Sequence, residues 1–112
     1  MDRTIVALST PAARGAIAVV RLSGPDSVAV AERVFRSRSG KTLSALAGYT
    51  ALYGDFLYGN ELLDDGVALV FRAPKSFTGE DMAELSCHGN PAIAERLVAA
   101  CVAAGAQHAT HG

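Results

Sequence analysis

Two runs that read as buried β-strands each hold a full charge. Residues 16–22 are apolar except for Arg21, and in residues 82–87 Glu84 stands between apolar neighbours. A charge in such a strand is costly unless a partner neutralises it. Two arrangements meet that demand. Either the strands are neighbours and the two side chains pair as a structural salt bridge, or they face a ligand of matching chemistry. A carboxylate can accept from two N–H donors together, and a guanidinium can donate to carbonyl or carboxylate oxygens. The residues alone leave both arrangements open, but either one requires a sheet that holds polar chemistry in an apolar setting.

The rest of the chain supplies the strands and helices for such a sheet. Residues 4–8 and 16–22 predict two buried strands around a loop from Thr10 to Gly15. Pro25 suits a first helical position and Asp26 a first turn, with Val28, Ala31, Val34 and Phe35 at helical spacing. A helix of about three turns is predicted, with residues 36–42 as a polar connection. Residues 49–58 and 62–72 form a hairpin about Gly59-Asn60. Asp64-Asp65-Gly66 is expected to bulge the return strand or break it in two. After a punctuated stretch at 73–79 and the strand at 82–87, Asn90 reads as an N-cap with Pro91 first in the helix. Ile93, Leu97, Cys101 and Ala104 share one face of it and Gly105 closes it.

A last strand begins within 106–110, giving two strand-helix-strand crossovers separated by a hairpin. The predicted fold is α+β: a single domain over residues 1–112, a mixed β-sheet with two to three helices packed on it. The stop after His111-Gly112 leads to the expectation that the chain is part of a longer protein.

Composition narrows the function classes. Half of the 112 residues are apolar and 19% are charged, which fits a globular domain with a core that needs no disulfide or metal. Ten Lys plus Arg against eleven Asp plus Glu leave a net charge of -1, so direct nucleic-acid binding is not expected. Two cysteines make no secreted framework, and a reducing cytoplasm is the expected compartment. The start lacks a signal-peptide pattern. No apolar stretch approaches the roughly 20 residues that span a bilayer, so no membrane partner is expected.

Two apparent motifs fail on inspection. Ser39-Gly40-Lys41-Thr42 resembles the end of a phosphate-binding P-loop, but Phe35 stands where the first glycine belongs. The segment is also expected to leave a helix and enter a loop, without the strand and helix that frame a phosphate cradle, so GTP binding is not expected of this chain. Cys87, His88, Cys101, His108 and His111 could supply a zinc site. Adjacent residues on a strand point to opposite faces, however, and Cys101 lies in the apolar stripe of its helix. No metal site and no catalytic constellation is expected, and His88 beside Gly89 reads as a turn residue.

Three segments carry a resemblance: Thr10-Pro11-Ala12-Ala13-Arg14-Gly15-Ala16-Ile17-Ala18-Val19-Val20-Arg21-Leu22-Ser23-Gly24-Pro25, Ala73-Pro74-Lys75-Ser76-Phe77-Thr78-Gly79-Glu80-Asp81, and Glu84-Leu85-Ser86-Cys87-His88-Gly89. Together, in this order, they resemble the amino-terminal domain of the TrmE (MnmE) family of tRNA-modification GTPases. The resemblance implies a folate-binding fold like that of the glycine-cleavage aminomethyltransferases. It further implies a homodimer that holds 5-formyltetrahydrofolate or 5,10-methylenetetrahydrofolate as one-carbon donor. The family's folate-contacting Arg falls on Arg21 and its folate-contacting Glu on Glu84. A further folate-contacting Lys of the family lies past Gly112, so weaker folate binding is expected here.

In the full-length family, helical and GTPase domains with GTP, magnesium and potassium sites follow. The flavoprotein MnmG (GidA) is the partner in modifying the wobble uridine of tRNA. Neither of those domains lies within this chain, and no turnover is expected of it. The chain departs from the family's pattern at Ala13, Asn90 and His111, where Gly, Gly and Pro are usual; Asn tolerates positive φ better than most residues.

Overall fold

The computed structural model describes residues 3–9, 15–76 and 78–109. Seven strands alternate with two helices: β1 (Ile5–Leu8), β2 (Ile17–Ser23), α1 (Ser27–Arg33), β3 (Phe35–Ser37), β4 (Thr50–Tyr58), β5 (Glu61–Phe71), β6 (Met82–His88), α2 (Pro91–Ala103) and β7 (Gln107–His108). A short 3-10 turn at Leu43–Ala45 precedes β4. The strands form one sheet in the order β3-β4-β5-β6-β2-β1-β7. Every neighbouring pair is antiparallel except β1 with β7. The sheet is thus mixed and the domain α+β, as the sequence predicts. Both crossovers, β2-α1-β3 and β6-α2-β7, return a strand parallel to the one they leave.

Period-two alternation sorts the strands onto two faces. Ala18, Val20 and Leu22 of β2, Ala83, Leu85 and Cys87 of β6, Ala68 and Val70 of β5, and Phe56 of β4 are buried in one cluster. Leu97, Ala94 and Cys101 of α2 and Val30 and Ala31 of α1 complete that core. The helix α2 begins as its sequence demands: Asn90 Oδ1 accepts from the Ala92 N–H at 2.8 Å and the Ile93 N–H at 3.4 Å, with Pro91 first in the helix. Its chain leaves through Gly105 at φ +122°, a conformation that side-chain-bearing residues rarely adopt.

Several expectations are corrected. The first helix is seven residues long, with Asp26 at its N-cap and Pro25 in the preceding turn. Phe35 leaves the helix to open β3, opposite Phe56 and with ring centroids 5.4 Å apart; burial against an aromatic partner outweighs continued helical spacing. In consequence Ser39-Gly40-Lys41-Thr42 follows a strand rather than a helix, and only the three-residue 3-10 turn comes after it.

The return strand β5 is not broken in two. It runs unbroken through Asp64-Asp65-Gly66, and the irregularity lies earlier, where Phe56 pairs with Asp64 but Leu57 with Leu62, leaving Leu63 as the extra residue. Both carboxylates stay in the strand because each has a hydrogen-bonding partner. The final strand is only Gln107–His108. The loop from Thr10 to Arg14 with Ala13, Phe77, and His111 and Gly112 lie outside the described residues.

Candidate functional site

Arg21 and Glu84 stand directly opposite each other on β2 and β6. The Arg21 Nε and Nη2 groups donate to Glu84 Oε2 at 2.8 and 2.6 Å. Both bonds fall on one oxygen, and no hydrogen bond from a described residue reaches Oε1. The side chains keep 37% and 16% of their exposure, so the pair is half-buried and reachable from one side.

That side is the sheet face opposite the helices, which no helix covers among the described residues. Along β6 it presents Glu84, Ser86 and His88, opposite Arg21, Val19 and Ile17 of β2. On the far side of β6, Leu69 lies opposite Glu84 and Val67 opposite Ser86. The result is an apolar floor around the ion pair. At one end the 72–81 connection folds over this face: Ser23 Oγ and Thr78 Oγ1 are 2.8 Å apart, and the Gly24 N–H donates to the Asp81 carbonyl at 3.0 Å. At the other end the face opens into a concavity of about 250 Å³ beside Ile17, Tyr53, Asp65, Val67, Ser86 and His88.

A second constellation was not legible in the sequence. His88 Nδ1 lies 2.9 Å from both carboxylate oxygens of Asp64, and its backbone N–H donates to Asp64 Oδ2 at 2.8 Å. The Asp64 side chain is 10% exposed. Burial pushes its carboxyl up, but the N–H and ring of His88 outweigh that and hold it below the usual value. The same hydrogen bond and the negative charges of Asp64 and Asp65 raise the His88 imidazole above 6.5. Asp65, next along β5, accepts from the Tyr53 hydroxyl. His88 therefore ends β6 as a hydrogen-bonded strand residue, not as a turn residue. The missing signal is register: Asp64 and Asp65 come beside His88 only once β5 and β6 are paired.

The cysteines turn the other way. Cys87 lies on the core face while its neighbour His88 is 68% exposed, and Cys101 is buried in α2. Burial, with a contribution from the charge of Asp64, pushes the Cys87 thiol up to about 11, and burial pushes Cys101 to about 12. Both values lie above the ordinary 9.0. The contribution of the neutral thiols to stability is therefore whole below pH 9 and declines as pH rises through 11 and 12. At pH 8 neither thiol of the native chain is expected to react with Ellman's reagent, and both should react once denaturant unfolds it. A thiol that titrates rapidly in the native protein would contradict the buried placement.

A family model described as the GTP-binding protein TrmE N-terminus matches residues 4–112. The chain belongs to that family. It is 46% identical to the tRNA modification GTPase MnmE of Chlorobium luteolum, over 99% of the chain and 24% of that relative. The MnmE of Parabacteroides distasonis is 43% identical over 97% of the chain and 24% of its own length. That of Symbiobacterium thermophilum is 42% identical over 99% and 24%. The chain spans about a quarter of the length of these curated relatives.

The fold brings the described parts of the three segments that resemble TrmE together along one strand. The 10–25 segment supplies β2 and Arg21, and the 84–89 segment pairs with it. They are also joined at their far end, where the Gly15 N–H donates to the Gly89 carbonyl and the Gly89 N–H to the Ala16 carbonyl, both at 3.2 Å. Gly89 admits no side chain there, because a Cβ would lie 2.0 Å from the Gly15 carbonyl oxygen. The 73–81 segment closes over Ser23 and Gly24. In their described parts, two of the motifs thus pair through Arg21 and Glu84, and the third meets the first at the end of the same strand.

Proposed function

We propose that this chain is the folate-binding and self-associating module of a tRNA-modifying GTPase, with Arg21 and Glu84 as the polar anchors of a reduced folate. The observation that carries the reading is the meeting of two TrmE segments at the Arg21-Glu84 pair, with the third folded against Ser23 and Gly24 at the end of the same strand. The pair lies on an apolar sheet face that no helix covers among the described residues, with one oxygen of the carboxylate free of hydrogen bonds from described residues. A pterin ring suits that setting. Its amino and ring N–H groups match a carboxylate, its carbonyl oxygen matches a guanidinium, and its flat faces match a floor of Val19, Leu69 and Val67. The ligand is 5-formyltetrahydrofolate or 5,10-methylenetetrahydrofolate, and the folate supplies one carbon. In the whole protein, GTP with magnesium and potassium, the flavoprotein MnmG (GidA) and tRNA act through the domains beyond this chain, and the product is a modified wobble uridine.

The same face favours a second role. Ile5, Ile17, Tyr53 and Val67 lie exposed on it, Ile17 at 61%, and an apolar face of this kind is where a homodimer would form. A scaffold that only self-associates is the alternative reading, and the ligand separates the two.

The test is thermal unfolding with and without 5-formyltetrahydrofolate. A ligand at 100 times its Kd stabilises the native state by about 2.7 kcal/mol, and the melting temperature of the parent chain is expected to rise accordingly. Glu84→Gln keeps the size of the side chain and removes its charge; it should abolish that rise. Its effect on the unliganded protein should be about 1 kcal/mol or less, because the pair is partly exposed and screened. A rise that survives both Arg21→Ala and Glu84→Gln would refute the anchors, and no rise in the parent chain would leave the scaffold reading.

A further inference from the structure

We propose that Asp64, Asp65 and His88 form a binding site for a divalent transition-metal ion of the zinc or cobalt type. Their donor atoms, one imidazole nitrogen and two carboxylate oxygens, all lie within 4.8 Å of one another. The sequence offers no such site, since its histidines and cysteines scatter and the two aspartates read as strand breakers. The site stands apart from the Arg21-Glu84 pair and does not depend on the folate reading.

A structural role for part of the cluster is evident: the Asp64 carboxylate terminates β6 by accepting the His88 N–H. That role does not account for the rest. Asp64 is nine-tenths buried, yet among the described residues no Lys or Arg pairs with it or with Asp65. Arg38 stacks on Tyr53 and is ion-paired with Asp55, and its charge reaches Asp65 only without contact. Within ion-pair distance the two carboxylates therefore meet one cation-forming group among the described residues, the His88 imidazole at Asp64, and a dication between them supplies the charge lacking at contact.

The donors are also held in place from outside. The His88 backbone N–H orients Asp64 and the Tyr53 hydroxyl orients Asp65, and such supporting bonds tune a metal site as much as its ligands do. Ligands at roughly 2.1 Å from one ion stand at most about 4.2 Å apart, so a small rotation of one side chain closes the set. The ion takes the place of the proton between His88 Nδ1 and Asp64; the imidazole then binds as a neutral ligand with its proton on Nε2, and a second proton, where His88 is an imidazolium, leaves to solvent. The adjacent concavity leaves its remaining coordination positions open to water or to a ligand oxygen. An imidazole donor with two carboxylates favours zinc or cobalt over magnesium or calcium, which prefer all-oxygen shells.

Isothermal titration of the chelator-treated 112-residue chain with Zn²⁺ tests this. One ion per chain is expected to bind, and Asp65→Asn and His88→Gln should each weaken it at least tenfold. Tyr53→Phe, which removes only the supporting hydroxyl, should weaken it about tenfold. A variant carrying both His108→Gln and His111→Gln should bind as the parent does. Melting curves check that each variant is folded, and Asp64 is left unchanged because it also ends β6. Absence of stoichiometric Zn²⁺ binding by the parent chain overturns the proposal. So does binding that survives Asp65→Asn and His88→Gln but is lost with His108 and His111, which would place the ion on the carboxy-terminal segment.

Discussion

Gly66→Ala is expected to destabilise the domain by about 3 kcal/mol, at the upper end of what one added methyl costs in a packed interior. Gly66 sits within β5, opposite Gly54 of β4. A Cβ at that position would lie 2.0 Å from the Ser86 carbonyl oxygen and 2.9 Å from Phe56 Cε2. The ring can turn, but the oxygen belongs to the backbone of the neighbouring strand, so relief requires β5 and β6 to move apart. Urea unfolding followed by circular dichroism measures the loss. Gly15→Ala is the control: nothing lies within 4 Å of its Cβ, and a change within about 0.5 kcal/mol is expected. Equal effects at the two positions would mean that β5 and β6 do not approach as described.

Phe56→Ala should cost more, about 3 to 5 kcal/mol, the range for emptying a buried aromatic position. Phe56 is fully buried, and its ring occupies the space that Gly66 leaves. It also holds the edge of the sheet, since β3 has only three residues and Phe35 packs on this ring. Hydrogen exchange in the variant should therefore accelerate at Phe35–Ser37 before it does in α2. Combined with Gly66→Ala, the two losses should add up to less than their sum, because removing the ring removes one of the two clashes. Full additivity would show that the ring and the glycine are independent.

These sites also mark how far the sequence could be read. The helix α2 was legible in full because its signals are local: Asn90 accepts from N–H groups two and three residues on, and Gly105 ends the helix by its own φ. The β4-β5 hairpin was legible for the same reason, its turn lying within Gly59-Asn60. The end of α1 was not, because Val34 and Phe35 keep helical spacing and only the approach of β4 draws Phe35 into a strand. Asp64-Asp65-Gly66 was read as a break because carboxylates and glycine are poor strand formers in isolation. Tyr53, His88 and the close approach of β6 reverse that preference, and none of the three is near in sequence.

For the candidate site the division runs between identity and register. By itself the sequence determined that Arg21 and Glu84 are charges set in apolar strands and so must be satisfied, and that the chain carries the dispersed motifs of the TrmE amino-terminal domain. It determined the α+β class as well, since period-two and helical patterns are properties of short segments. Only the tertiary structure decided that Arg21 and Glu84 face each other, that the pair lies on the sheet face opposite the two helices, and that Asp64 reaches His88. Each of these depends on which residue of one strand meets which residue of another across connections such as residues 24–81. One residue of slip turns every side chain to the opposite face, and the hydrophobic contacts that prevent the slip are made by the folded sheet as a whole.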